Sequence, residues 1–348
     1  MENIVSYKCK NCGAPLEFDI QKQNHSCKFC LSEFAVSELS GQDVSTPDTP
    51  PEIPHDEYGD GAMAYSCSSC GGKIVTDTNT VSTFCVYCHS PTIIAANLTG
   101  EYRPAKVIPF KLGKEEVKTA MCALLKKRPL LPKDFRMFAE KGEISGMYVP
   151  FWLFSADMQG FLAAQGVRVM SWSDANFRYT KTDTFHVERA ADVAFNNLPA
   201  DGSAKMDSKL TQALEPFDYA AMQDFSMQYL SGHFAESYDI DSESASVHAF
   251  NRMDSGLTKM LEETVTGYNS YSVTARHNQR RKQDAMYVML PVWTLSADYK
   301  GKRYTFAMNG QTGKMVGKLP TCAGRAFAWF GGIFAAVSLV AFVGGMLI

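Results

Sequence analysis

Eight of the ten cysteines in this chain fall into one spacing used twice: Cys9, Cys12, Cys27 and Cys30, then Cys67, Cys70, Cys85 and Cys88. Cysteines three apart on a tight turn can aim both sulfurs at one ion, and a second turn completes a tetrahedral shell. The spacing predicts two structural Zn2+ ions, one per set, with rubredoxin-like iron as the alternative metal. A disulfide framework is disfavoured because the chain is long and opens Met1-Glu2-Asn3-Ile4 without a secretory signal. Thioredoxin-like chemistry is disfavoured because neither C-x-x-C opens a helix in a βαβ pattern. A closed four-thiolate shell leaves no position for water or substrate, so these metals are read as structural and no residue is assigned to catalysis. His25 and His89 lie near the two sets and read as exposed neighbours, not ligands.

Each set must be positioned by a small module of roughly 30–40 residues, too short to bury a self-sufficient core. Metal ligation would then supply folding free energy of about 10–16 kcal/mol per site. Gly13 and Gly71 follow Cys12 and Cys70, where a residue tolerating positive φ helps the backbone turn around an ion. Cys30 and Cys88 lack that glycine. Leu16, Phe18 and Ile20 alternate with polar residues, as in the β-hairpins of a zinc ribbon. The expected organisation is zinc ribbon 1 over 1–40, an acidic Pro-rich linker over 41–63, zinc ribbon 2 over 64–98, a body over 101–320 and a terminal segment over 324–348.

The chain has 348 residues, 45% hydrophobic content and a formal net charge of −3, an ordinary globular composition. Residues 1–100 carry five basic and twelve acidic side chains, net −7, a balance that repels a polyanion and disfavours nucleic acid as a partner. Much of the acidity lies in the linker, which reads as extended and solvated. At the other end, 326–348 is an uncharged, Pro-free apolar run that would make a helix about 35 Å long, enough for a hydrocarbon core of about 30 Å. Lys314, Lys318 and Arg325 precede it, which predicts a single-pass anchor in the cell membrane with ribbons and body in the cytoplasm.

The body holds a second repeat. Pro150-Phe-Trp-Leu-Phe-Ser-Ala-Asp157-Met-Gln-Gly160 recurs as Pro291-Val-Trp-Thr-Leu-Ser-Ala-Asp298-Tyr-Lys-Gly301, and each copy follows a Met-Tyr-Val. Two related halves follow, each with a buried strand that ends in an Asp-x-x-Gly turn. Trp152 and Trp293 should occupy equivalent buried positions, and each proline should lie at a sheet edge or bulge. Residues 176–188 alternate as a strand, with Phe177, Tyr179, Phe185 and Val187 on one face and a possible turn at Lys181–Asp183. Val117, Ala120, Met121, Leu124 and Leu125 make one helical stripe, and Val247, Phe250, Leu257 and Leu261 another. Residues 190–215 read as loop. The fold class predicted is α+β: two tandem ribbons, a body of antiparallel sheet and amphipathic helices in two related halves, and one C-terminal transmembrane helix.

Other chemistry finds little support. Gly310-Gln-Thr-Gly313-Lys314 has two residues between its glycines where a phosphate loop has four, and reads as a hairpin turn. His186-Val-Glu188 lacks the cysteines of a deaminase and reads as solvated. Cys122 reads as core, and Cys322 lies just before the apolar run. The basic segment 276–282 reads as a solvated strand end, with lipid headgroups as the next option.

Tandem ribbons, the acidic linker, Tyr148-Val-Pro-Phe-Trp152, Lys300-Gly-x-x-Tyr304-Thr-Phe-Ala-Met-Asn309-Gly-Gln-Thr-Gly-Lys314 and the apolar terminus together resemble the bacterial TFIIB-type zinc-ribbon membrane proteins. Such proteins often carry a name borrowed from the primosomal helicase, which the absence of helicase motifs contradicts. The resemblance implies a non-enzymatic membrane component acting beside phage-shock-A-like and SPFH (flotillin-like) proteins in envelope stress, with the eight cysteines as metal ligands. The function expected is therefore a membrane-anchored, cytosol-facing adaptor that recruits protein partners, with residues 326–348 contacting lipid. A membrane-tethered nucleic-acid-binding ribbon protein and an enzyme with an unrecognised site in the body are the alternatives.

Overall fold

A computed structural model describes residues 4–39, 62–98, 100–132, 134–135 and 142–346. The expected linker lies outside them, except for its last two residues, which open the strand Ala62–Ser66. The chain divides into two units. The first comprises Met1–Val149, Lys205–Ser237 and Met289–Ile348, and the second Pro150–Ala204 and Tyr238–Val288.

In the first unit, both cysteine modules are built into one set of paired strands. Ile4–Val5 pairs antiparallel with Pro91–Ile94, which pairs with Thr80–Phe84, which pairs in turn with Phe234–Glu236. Phe234–Glu236 lies parallel to Met147 and Tyr148 of the long strand Glu143–Ser173. The N-terminal ribbon's own sheet, formed by Glu17–Asp19, Asn24–Ser26 and Glu33–Phe34, is also tied down. Phe18 N–H donates to the Ser231 carbonyl (3.2 Å), and the buried Ser231 hydroxyl donates to the Leu16 carbonyl (2.8 Å). The Phe18 and Tyr229 rings meet edge to face at 5.2 Å, and Gln23 donates to the Phe110 carbonyl at 2.9 Å. The ribbons are therefore not freely searching modules, because their backbone groups and apolar faces are satisfied by other segments of the same unit.

The second unit is an antiparallel hairpin covered by a helix. Residues 151–173 of the long strand pair with Arg178–Asp201 from Phe151↔Asp201 to Ser173↔Arg178. The helix Ser242–Glu263 is N-capped by Asp241, whose carboxylate accepts from the Ser244 amide (2.7 Å). It buries Ala245, Ala249, Phe250, Met253, Leu257 and Leu261 against Met158, Leu162, Ala164 and Val187. Val247, expected on that stripe, is 58% exposed. The loop expected over 190–215 is instead mostly the end of the strand Arg178–Asp201 and the short helix Ser208–Ala213. The strand also runs through Lys181 and Asp183, which form an exposed ion pair (3.0 Å), and the turn falls where Asp174 N–H meets the Phe177 carbonyl. Sequence alternation locates the strand but not its ends, because one exposed ion pair costs an exposed hairpin little.

The Pro-x-Trp repeat builds the same hydrogen-bonded figure in each unit. In the first, Gly310 N–H donates to the Pro291 carbonyl (2.9 Å), the Gly310 carbonyl accepts from Lys111 and Leu112, and the Trp293 indole donates to the Leu112 carbonyl (3.0 Å). In the second, Gly202 donates to Pro150 (3.1 Å), the Gly202 carbonyl accepts from Asp239 and Ile240, and the Trp152 indole donates to Ile240 (2.8 Å). One residue further on, Gly113 and Asp241 each cap a helix, Lys114–Lys126 and Ser242–Glu263. Ring packing repeats as well: Trp293 on Phe110 and Trp152 on Tyr238 are both at 5.0 Å, while Phe110–Tyr148 and Tyr238–Tyr287 lie at 5.0 and 5.1 Å. Each unit thus takes its tyrosine from one Met-Tyr-Val and its tryptophan from the other copy's Pro-x-Trp. The related halves are not consecutive stretches of sequence but are completed by strands from both copies. Pro150 sits where the long strand passes from Phe234–Glu236 to Arg178–Asp201 as partner, and Pro291 directly before the ladder with Lys302–Asn309 opens at Val292.

The copies diverge at their last glycine. Gly301 has φ of 73° and, with Lys300 at 51°, makes the expected turn between Ser270–Tyr299 and Lys302–Asn309. Gly160 makes no turn. Its strand continues to Ser173, and a side chain there would meet Leu257 at 2.8 Å and Leu261 at 3.0 Å.

The expected C-terminal transmembrane helix is not supported. A helix occupies Ala323–Met346, but no helix among the described residues is long and apolar enough to cross a membrane. The side chains of the expected run are described as far as Ser338. Arg325 lies in the first turn of that helix. The rest of the expected run lies outside the residues whose side chains are described. This corrects the fold class and removes the basis for the single-pass, cell-membrane localisation.

Gly160→Val should destabilise the chain by about 1–3 kcal/mol through overpacking against Leu257 and Leu261. Urea unfolding checks this, and an unchanged midpoint contradicts the close helix approach.

Candidate metal centres

The first centre is assembled from two turns that fold alike. Cys9 N–H donates to the Ala14 carbonyl and Gly13 N–H to the Cys9 carbonyl; Cys27 and Leu31 repeat the pattern with Ser32 and Cys27. The second centre copies it, with Cys67, Gly71 and Gly72 on one turn and Cys85, His89 and Ser90 on the other. The fourth residue after the first cysteine of each turn is left-handed: Gly13 at φ 76°, Leu31 at 59°, Gly71 at 72° and His89 at 54°. The turns without glycine therefore adopt the same geometry at the expense of two strained side chains. A Cβ on Gly72 would lie 2.5 Å from the Tyr87 ring, so enlarging this residue forces that exposed ring to move.

These turns bring Cys9, Cys12, Cys27 and Cys30 together, and likewise Cys67, Cys70, Cys85 and Cys88, with all four sulfurs of each set within 4.8 Å of one another. Sulfur separations are 3.4 Å for Cys9–Cys30, 3.5 Å for Cys12–Cys27, 3.8 Å for Cys67–Cys88 and 3.7 Å for Cys70–Cys85. A disulfide would need about 2.05 Å. A tetrahedral ion with sulfur ligands at about 2.3 Å sets them about 3.8 Å apart, so the donor sets fit such an ion. In each set the first and third cysteines are buried and the second and fourth exposed. The Ser32 hydroxyl holds the Cys30 thiol down to about 6, whereas Cys12, although drawn down by the Ala14 amide, is pushed up to about 12 by the sulfurs of Cys30 and Cys27. Four thiolates cannot share this space without a cation.

Two further residues went unread in the sequence. Ser32 accepts from Asn11 (2.8 Å), and Ser90 bonds Ser69 (2.9 Å), so in each centre a serine two places after the last cysteine ties the two turns together. The signal was the repeated Cys-x-Ser. His25 is not an exposed neighbour: it is fully buried, packed 5.5 Å from both Tyr7 and Phe18, and burial lowers its pKa to about 4. His89 is exposed, and neither histidine belongs to a sulfur set. Cys122 is half-buried beside Met121 on the helix Lys114–Lys126. His186 and Glu188 form an exposed pair at 3.0 Å, and Asn309 to Lys314 form a hairpin turn organised by the Asn309 carboxamide oxygen.

Elemental analysis of the purified chain should find two metal ions per molecule, and X-ray absorption four sulfurs around each at about 2.3 Å. One ion or none contradicts the pairing of the cysteine sets.

No family model matches the chain, and no solved structure matches it. A relative does: the uncharacterized protein YdjG of Bacillus subtilis (strain 168) is 34% identical over 346 residues, spanning 98% of this chain and 99% of that protein. The relationship runs the full length of both chains, and the chain is a member of the YdjG family.

Proposed function

We propose that this chain is a zinc protein without a catalytic role, whose ribbons bind a protein partner through the tips of their second turns. The carrying observation is that both tips present large apolar side chains to solvent: Phe29 (75% exposed) and Leu31 beside Cys30, Val86 and Tyr87 (67%) beside Cys88. Phe29 and Tyr87 stand at the same place in the two ribbons, each directly before the fourth cysteine. Exposed aromatics on a rigid, metal-held turn cost little entropy to bury and are suited to anchoring a protein contact. Zinc fits the all-sulfur tetrahedral shells, which hold no open position for substrate. The net charge of −7 over residues 1–100 favours a protein over a nucleic acid.

The family resemblance makes a phage-shock-A-like or an SPFH protein the first candidate. Purified full-length chain should bind one of them, and Phe29→Ser with Tyr87→Ser should weaken binding about tenfold or more while leaving two metals per chain. Binding that survives both substitutions would place the contact elsewhere and sink this reading.

A further inference from the structure

The first unit contains a cleft that the ribbons do not use, lying where the second copy of the repeat turns and the first does not. It measures about 580 Å³, and its lining includes Asp134, Tyr299, Lys300, Lys302, Tyr304 and Arg325. The turn at Lys300-Gly301 places Tyr299 opposite Lys302 in the ladder, so two lysines flank one rim. The Tyr299 and Tyr304 rings stand 6.3 Å apart on one wall.

Among the described residues, three cations face one carboxylate here, and that carboxylate is already engaged. The Tyr299 hydroxyl donates to Asp134 Oδ2 at 2.5 Å and holds its carboxyl below the usual range, with Lys300 Nζ 3.7 Å from the same oxygen. Arg325 is braced by donation from Nη1 to the Leu131 carbonyl, which leaves other guanidinium N–H groups for a ligand. Lys302 has no ion-pair partner among the described residues. The excess of positive charge calls for an anion, and Arg with Lys at close quarters suits the several oxygens of a phosphate. The volume exceeds what a bare phosphate fills and falls within the range of sites for small organic molecules, about 300–1,000 Å³.

We propose that this cleft binds a phosphate ester, with the phosphate held by Lys300, Lys302 and Arg325 and the ester's remaining part against Tyr299 and Tyr304. The ester is either a soluble organic phosphate or an anionic lipid headgroup, which share this chemistry. Inorganic pyrophosphate titrated calorimetrically into the full-length chain tests the first source. Vesicles of phosphatidylcholine with and without phosphatidic acid test the second by co-sedimentation. Lys302→Ala removes a cation that has no ion-pair partner among the described residues and should weaken the relevant interaction about three- to tenfold; with Arg325→Ala added, the loss should exceed tenfold. Raising salt should weaken binding further. Saturable, Lys302-dependent binding of pyrophosphate assigns a soluble phosphate, and Lys302-dependent binding confined to acidic vesicles assigns a headgroup. If neither probe binds, or if binding is indifferent to Lys302→Ala, the proposal is overturned.

Discussion

Four thiolates within 4.8 Å of one another repel unless a cation sits among them. The second ribbon depends on that condition most directly, because its own buried cluster is Cys67, Ile74 and Cys85, two of which are metal ligands. Metal, turn geometry and core are thus one cooperative object in that ribbon. Because Thr80–Phe84 and Pro91–Ile94 pair onward to Phe234–Glu236 and to Ile4–Val5, the condition reaches beyond the ribbons to strands that hold no cysteine.

The body rests on a different device, a repeated figure, buried at Trp293 and half-buried at Trp152, in which a glycine carbonyl takes two amides and an indole closes the turn before a helix. Trp293 and Trp152 are each both packing surface and hydrogen-bond donor, which is why a large aromatic with a polar edge occupies these sites. Exchange of strands between the two copies means that neither unit can form from one copy alone. The copies then part at Gly160 and Gly301: a helix of 22 residues covers the strand that continues, and one of 13 residues accompanies the strand that turns. The shorter hairpin leaves the basic cleft at its turn.

The metal centres were legible in the sequence because both ligand identity and turn spacing are local properties. The tryptophan repeat was legible because identical residues recurred in order. What the sequence concealed is non-local. Nothing around Leu16 and Phe18 announces Ser231 and Tyr229 as their partners, and a two-residue strand such as Ile4–Val5 leaves no periodic signal. His25 reads as an exposed neighbour once four cysteines complete the ligand set, yet strand alternation over Asn24–Ser26 turns it inward. Asp-x-x-Gly appears in both copies, and only packing against Leu257 separates a turn from a continuing strand. The C-terminal apolar run reads as a membrane span on composition, whereas no helix among the described residues meets both the length and the apolarity required.

If the metal centres hold up more than themselves, hydrogen exchange on the full-length chain before and after metal removal by a chelator should show amides of Phe234–Glu236 and of Met147 and Tyr148 losing protection together with those of 4–39 and 62–94. Exchange that rises only within 4–39 and 62–94, with Phe234–Glu236 as protected as before, would contradict it.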